Sequence, residues 1–118
     1  MRVSVFLVFS VFSGFSVFLA ACGGDGSGDP TMPNGSCDTR TQNSVCIDYS
    51  GPQAVVDTYK NNCAPGTWST APCPTSGRVG GCRLSDAGLK LTYTQQMYGP
   101  VFSAATAMQT CVGGTFVP

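Results

Sequence analysis

The sequence predicts a small α+β domain, stapled by disulfides, with an antiparallel sheet, two helices on one face and the element order βαββαβ. Six cysteines lie in residues 37–118, and an even number of cysteines in a short exported chain is typical of three disulfides. Strand-like and helix-like patterns alternate through the same region. A repeat at an offset of 48 residues predicts an internal duplication of one unit.

The repeat consists of two short matches with one gapless spacing. Gly51-Pro52 returns as Gly99-Pro100, and a Cys-x-x-Gly-Thr-aromatic motif at 63–68 returns at 111–116. Trp68 therefore corresponds to Phe116. We interpret the repeat as two copies of one supersecondary unit.

The strands are predicted from β-branched and aromatic runs with alternating polarity. One predicted strand, residues 45–49, precedes Gly51-Pro52, and another, residues 89–94, precedes Gly99-Pro100. Residues 78–84 form a further strand, which the turn 85–88 joins to residues 89–94 in a hairpin. Two short β-type stretches, 67–68 and 115–117, follow the helices.

A helix is predicted after each Gly-Pro, because proline is well suited to the first helical turn. In each helix the apolar residues recur at helical spacing and so predict the buried face. The first face comprises Val55, Val56, Tyr59 and Cys63, and the second comprises Val101, Ala104, Ala105, Met108 and Val112.

This topology also suggests the disulfide pairing. A helix that runs back along its own strand brings its C-terminal end near the start of that strand. The expected bridges are Cys46–Cys63, Cys82–Cys111 and, from the remaining pair, Cys37–Cys73. Six cysteines allow fifteen pairings in total.

The first 21 residues have the layout of a secretory signal peptide: Arg2 precedes a long uncharged apolar run that ends in small residues. A retained transmembrane anchor is the alternative, because the run is just long enough to span a bilayer. Leu19-Ala20-Ala21-Cys22 resembles the lipobox of bacterial lipoproteins. The resemblance implies cleavage before Cys22 and attachment of lipid, including palmitate-type acyl chains, to that cysteine.

By the same resemblance the mature chain is bound to a membrane through the lipid on Cys22 and does not span it. Gly23, rather than Asp, follows that cysteine and favours the outer membrane of a bacterial cell envelope. Residues 22–36 are rich in Gly, Ser, Asp and Pro, which predicts a flexible tether, and residues 37–118 form the Cys-rich domain.

The charge pattern excludes several classes of function. Without Arg2, five basic residues are balanced by six aspartates, and the chain has no His. A nucleic-acid partner is not expected, since such proteins present a basic stripe. The absence of His and of any Cys-x-x-Cys pair gives no reason to expect a metal site, a cofactor or a nucleophilic enzyme. Asp48 is the carboxylate least easily assigned to a turn or an exposed helix.

Two features are candidates for binding. Seven aromatic residues are many for a domain of this size, and Trp68, Tyr49 and Tyr93 are proposed as a ligand surface for a protein or glycan. A core position for Trp68 is the alternative. The proline-stiffened loop 71–78 carries Cys73 and could present a rigid inhibitory segment, although its prolines also fit a simple connection.

The mature domain resembles small Cys-rich domains of bacterial lipoproteins whose function is not characterised, on the strength of a helix followed by the Cys-x-x-Gly-Thr-aromatic motif near the chain end. That resemblance implies no activity. The sequence as a whole predicts a lipid-anchored cell-envelope protein that acts as a non-catalytic binding or structural module. The alternative is an envelope-tethered inhibitor of a hydrolase that acts through loop 71–78.

Overall fold

A six-stranded antiparallel sheet with three helices forms the part of the chain, residues 33–118, that the computed structural model describes. Within that range, no helix has the length and apolar character needed to cross a membrane. The predicted signal peptide and Cys22 lie outside the described residues. The strands are β1 Gly35–Asp38, β2 Val45–Ser50, β3 Thr67–Ser69, β4 Arg78–Asp86, β5 Leu91–Tyr98 and β6 Thr115–Val117, and the helices are α1 Arg40–Asn43, α2 Gln53–Asn61 and α3 Ala104–Thr110.

The prediction of a disulfide-stapled α+β domain is confirmed, but the element order differs from βαββαβ. The spatial order of the strands is β3-β1-β2-β5-β4-β6. Each half of this order is a hairpin, then a helix, then an edge strand that pairs with the first strand of the hairpin. The sequence analysis missed β1, because its four residues, Gly-Ser-Cys-Asp, carry no apolar alternation.

The two halves meet where β2 pairs with β5. Ile47 lies opposite Gln95 at the middle of this antiparallel ladder. These two residues are 48 positions apart, which is the offset of the sequence repeat. The same offset relates the pairs on either side to each other. Val45 corresponds to Tyr93, and its partner Met97 corresponds to Tyr49. The sheet consequently has an approximate two-fold arrangement about the Ile47–Gln95 pair.

Both longer helices pack on one face of the sheet, as predicted. Side chains alternate along β2, so that Val45, Ile47 and Tyr49 point to the helical face. Val56 of α2 packs in a cluster with Tyr49, whereas Ala107 of α3 packs in a cluster with Val45, and Ile47 contacts both clusters. The helical face therefore carries the hydrophobic core.

Helix α2 agrees with its predicted buried face. Val56 and Cys63 are buried, and Val55 and Tyr59 are partly buried against the same cluster. Its four apolar positions lie on one side of the helix because they recur at helical spacing.

The predicted buried face of α3 is wrong. Val101, Met108 and Val112 are 68%, 59% and 81% exposed, and the buried residue is Ala107. The helix begins after Ser103, four residues beyond Gly99, because the Ser103 side chain accepts from Thr106 N while Thr106 Oγ1 accepts from Ser103 N. This capping box satisfies backbone donors that would otherwise lack partners at the helix start.

Two of the three predicted disulfides are corrected. Cys82–Cys111 forms as expected, but the other bridges are Cys37–Cys63 and Cys46–Cys73. The alternation of side chains along β2 is the reason. Cys46 points away from the helices and cannot reach Cys63, whereas Cys37 of β1 lies opposite Ile47 and shares its helical face.

The folded region also begins earlier than the predicted boundary at Cys37. Strand β1 starts at Gly35, and Asn34 is attached to β2 and to the turn that follows it. Asn34 N donates to Tyr49 O over 2.7 Å, and Gly51 N donates to Asn34 Oδ1 over 2.9 Å.

The disulfide pairing can be tested by mapping and by mutation. A non-reduced digest is expected to yield peptides linked through Cys46–Cys73 and Cys37–Cys63. The double substitution Cys46→Ala/Cys73→Ala should lower the free energy of unfolding by about 3 to 4 kcal/mol, because the bridge closes a loop of 27 residues. Denaturant unfolding of the oxidised proteins measures this. A peptide that links Cys46 to Cys63 would contradict the pairing.

Candidate binding site: an aromatic groove

A groove of about 570 Å³ opens on the helical face of the sheet, beside the turn between β4 and β5. Its volume lies within the range typical of small-molecule sites. Strands β2, β4 and β5, helix α2 and the residues after α3 all contribute to its walls. The lining residues are Ile47, Tyr49, Tyr59, Leu84, Ser85, Asp86, Ala87, Tyr93 and Gly113.

Three tyrosines form one side of this groove, and we call them the tyrosine shelf: Tyr49, Tyr59 and Tyr93. The ring centroid of Tyr49 lies 4.8 Å from that of Tyr59 and 6.4 Å from that of Tyr93, with interplanar angles of 30° and 33°. Tyr49 is buried, whereas the other two rings are partly exposed. The shelf thus offers aromatic surface to solvent on a rigid, buried base.

Trp68 supports the shelf from behind. It lies on edge strand β3, opposite Cys37 of β1, and its ring stacks on Tyr49 with centroids 5.8 Å apart. The indole also lies across Gly35, where an added Cβ would be only 2.3 Å from Trp68 Cζ2. Glycine at position 35 therefore allows the ring to pack flat on β1. Trp68 is half-buried and does not line the groove.

The polar rim of the groove comes from the β4–β5 turn. Asp86 Oδ1 accepts from Leu89 N over 3.0 Å, which fixes the turn. The second carboxylate oxygen of Asp86 accepts no hydrogen bond from residues 33–118. The groove therefore combines aromatic faces with a hydrogen-bond acceptor at its edge.

The environment of Tyr49 keeps its phenol protonated. Burial raises the pKa of Tyr49 above its ordinary value, and the nearby Tyr59 and Tyr93 raise it further. The contribution of protonated Tyr49 to the free energy of unfolding is fully present below the ordinary tyrosine pKa. It is lost as the pH rises through the raised pKa that Tyr49 has in the folded protein. Tyr49 is therefore a neutral ring with a hydrogen-bonding hydroxyl at physiological pH.

The structure brings two of the three residues predicted as a ligand surface into the groove. Tyr49 and Tyr93 line it directly, and Trp68 lies behind Tyr49. The sequence analysis missed Tyr59 and Asp86, which it assigned to a helix face and a turn. The helical spacing of Tyr59 with Val56 was the available signal, because it pointed the ring to the same face of the sheet as Tyr49.

The tyrosines occupy only one of the two positions that the approximate two-fold arrangement relates. At the repeat offset, Tyr49 corresponds to Met97, Tyr59 to Ala107 and Tyr93 to Val45, and all three of those counterparts are fully or almost fully buried. The equivalent position is thus filled by a buried core without aromatic side chains. The groove instead has tyrosines from both halves and leaves Tyr59 and Tyr93 partly exposed, which is typical of a binding surface.

Asp48 lies on the opposite face of the sheet and has a structural role. Its carboxylate accepts from Cys73 N over 2.7 Å and from Gln96 Nε2 over 3.1 Å. Among residues 33–118, no three His, Cys, Asp or Glu side chains lie close enough to hold a metal ion. Asp48 therefore fixes the loop that carries Cys73 to the sheet.

The loop 71–78 is tied to the same face at several points. Besides the Cys46–Cys73 bridge, Ser36 Oγ donates to Ala71 O over 2.8 Å and the Tyr98 hydroxyl donates to Pro74 O. Most of its side chains are exposed. The loop is a rigid cover over one end of the sheet.

Comparison of the chain with family models, with curated proteins and with solved structures gives no match.

The packing of Trp68 can be tested at Gly35. The substitution Gly35→Ala places a methyl group against the indole, so we expect a shifted tryptophan emission and a free energy of unfolding lower by about 1 to 3 kcal/mol. Trp68 is the single tryptophan, and its fluorescence reports the change directly. Gly99→Ala is the control, because its added Cβ would have neighbours no nearer than 3.7 Å. Equal spectra and stabilities for the two variants would contradict the described packing.

Proposed function

We propose that this protein is a lipid-anchored, non-catalytic binding module of the bacterial cell envelope, and that its aromatic groove binds neutral glycans. The tyrosine shelf is the observation that carries the proposal. The rings of Tyr59 and Tyr93 lie with their centroids within 6.4 Å of that of Tyr49 at a solvent-open groove, although aromatic side chains are usually buried more fully in a core.

Stacking on flat rings favours a ligand with an apolar face of similar size. A pyranose ring has such a face, because the axial C–H groups of alternate ring carbons point to the same side, and an aromatic ring presents a negative face to them. The shallow angles of about 30° between Tyr49 and its neighbours give a shelf rather than a closed cage. That shape suits an extended saccharide better than a compact cation.

The polar groups of the groove support the same ligand class. Three phenolic hydroxyls can donate hydrogen bonds to sugar hydroxyls or accept them, and one carboxylate oxygen of Asp86 can accept them. Asp86 is the only charged residue that lines the groove within the described part of the chain. An anionic saccharide would be repelled by this carboxylate, so a neutral glycan is favoured.

The lipid anchor places this module in the cell envelope. The lipobox at Leu19-Ala20-Ala21-Cys22, the tether that follows it and an outer-membrane location all belong to this proposal, since they lie outside the described residues. We also propose that the two halves descend from one duplicated unit. The approximate two-fold arrangement about Ile47 and Gln95, together with the equivalent bridges Cys37–Cys63 and Cys82–Cys111, supports this origin.

The inhibitor alternative stays a prediction. The rigid, mostly exposed loop 71–78 is compatible with an inhibitor. A proline-rich connection that a disulfide holds in place has the same features, so they do not favour inhibition. The tyrosine shelf has no part in that alternative, so the binding module accounts for more of the structure.

Glycan binding is tested by following the emission of Trp68 as oligosaccharides are added. N-acetylglucosamine trimers linked β-1,4 and maltotriose serve as neutral probes. Binding at the shelf is expected to change the emission, because Trp68 stacks on Tyr49. Tyr93→Ala should weaken binding about three- to tenfold, since it removes one stacking face.

Met108→Ala is the matched control, because Met108 is an exposed apolar residue of α3 that does not line the groove. Its affinity should equal that of the wild type. The glycan proposal fails if no saccharide changes the emission, or if Tyr93→Ala binds as tightly as the control.

The anchoring proposal has a separate test. Cys22→Ser is expected to abolish labelling of the protein by radioactive palmitate and to leave an unprocessed or soluble species in cell fractionation. Ser27→Ala, in the predicted tether, should behave like the wild type. A Cys22→Ser variant that is labelled and fractionates with membranes like the wild type contradicts lipid attachment at this residue.

A further inference from the structure

The face of the sheet opposite the helices holds a second, smaller cavity of about 230 Å³. Its floor is formed by β2, β5 and β4, and the loop 71–78 closes one end. The cavity is smaller than a typical site for a drug-sized ligand, and it has room for a single compact group. Most of the residues that line it have polar side chains, among them Arg78, Arg83, Ser50, Thr92, Thr94 and Gln96.

Arg83 provides the first sign of a ligand. Its Nε atom is buried and has no hydrogen-bond partner among residues 33–118. Arg83 lies opposite Thr94 of β5 and between two paired strands, so that its stem is held in place. A buried, charged donor without an acceptor costs free energy, and an anion in the cavity would remove that cost.

Arg78 adds a second positive charge to the same cavity. Its Nη1 donates to Gln96 Oε1 over 3.2 Å, and its Nη2 donates to Pro118 O over 2.9 Å. The Gln96 amide is held in turn by Asp48, to which its Nε2 donates. Gly81 leaves the space for this amide, since an added Cβ would lie 2.7 Å from Gln96 Oε1.

The charges in this cavity do not cancel. Two guanidinium groups line it, with Asp48 as the one carboxylate. The ion pair found within residues 33–118 is Arg40–Asp38, so neither arginine of the cavity is paired with Asp48. Asp48 already accepts hydrogen bonds from Cys73 N and Gln96, which leaves a net positive cavity.

Hydroxyl groups complete the set of donors. Ser50 and Thr94 line the cavity and are 6% and 7% exposed, and Thr92 lies on the same face of β5. A carboxylate has two oxygens and is well satisfied by one arginine. Two guanidinium groups and three hydroxyls on three different strands exceed that need, but they match a tetrahedral phosphate with its additional oxygens.

We propose that this cavity is a phosphate-binding site, in which Arg83 is the principal ligand, Arg78 adds charge, and Ser50, Thr92 and Thr94 donate hydrogen bonds. The ligand is a terminal phosphate group, carried by a soluble phosphoester or by a lipid headgroup. The site lies on the opposite face of the sheet from the glycan groove, so the two proposals stand or fall separately.

The test is a calorimetric titration of the full-length protein in detergent with inorganic phosphate at low ionic strength. Arg83→Met is expected to weaken binding at least tenfold, because it removes the guanidinium group with its buried Nε and keeps the apolar stem. Lys60→Met is the matched control, since it makes the same change of charge on α2 and should bind within twofold of the wild type. Equal loss in both variants would show that only net charge matters and would overturn the proposal.

Thr94→Val provides a second variant of nearly equal shape. It should fold like the wild type and bind phosphate several-fold more weakly. The melting temperature supplies an independent readout: phosphate is expected to raise it for the wild type and for Lys60→Met, but not for Arg83→Met. If phosphate neither binds to nor stabilises the wild-type protein, the site does not exist.

Two further arms separate the sources of the phosphate group. Glycerol 3-phosphate, which carries no sugar ring, presents it in solution, and phosphatidylcholine vesicles that contain phosphatidic acid present it at a membrane. A probe that competes with inorganic phosphate for the wild-type protein, but not for Arg83→Met, supports the site. The probe that competes identifies the source of the phosphate group. Binding of either probe that Arg83→Met retains would overturn the assignment.

Discussion

The pairing of β2 with β5 is the interaction on which the rest of the structure depends. It joins two ββαβ halves in one continuous sheet, and its central pair, Ile47 and Gln95, fixes the register of both. A shift of one residue would turn every side chain of a strand to the opposite face. The helical core, the tyrosine shelf and the polar cavity would then all be lost, because each uses alternate residues of these two strands.

This register divides the two central strands into two chemically distinct surfaces. The helical face of β2 carries Val45, Ile47 and Tyr49, and the opposite face carries Cys46, Asp48 and Ser50. Apolar and aromatic side chains on the first surface form the core and the aromatic groove. Polar side chains on the second surface, together with the loop 71–78, form the smaller cavity. One sheet thus presents two separate cavities of different chemistry.

The sequence was sufficient to predict the parts of the fold that follow local periodicity. The α+β class, both longer helices and the buried face of α2 were accessible because Val56 and its neighbours recur at helical spacing. Two of the three tyrosines of the groove, Tyr49 and Tyr93, were also predicted as a binding surface, since they lie in strand-like runs and the domain is rich in aromatic residues. Local patterns carried this information without reference to distant contacts.

The features that depend on long-range pairing could not be predicted in the same way. Strand β1 has no apolar alternation and exists because its backbone pairs with β2 and β3. Because the sequence did not predict β1, it did not place Cys37 on the helical face of the sheet. Two of the three disulfides were therefore predicted wrongly. The capping box at Ser103 likewise overrode the Gly-Pro signal for the start of α3. The positions of Arg78 and Arg83 in one cavity depend on the same long-range register.

The bridge between Cys46 and Cys73 has a consequence for assembly. It fastens the segment that connects the two halves to the first half, at the point where the chain passes from β3 to β4. Domain swapping exchanges an element between two copies through a connection that opens. The bridge leaves only residues 74–77 between Cys73 and β4, and the Tyr98 hydroxyl donates to Pro74 O within them, so the connection between the halves is short while the bond is oxidised.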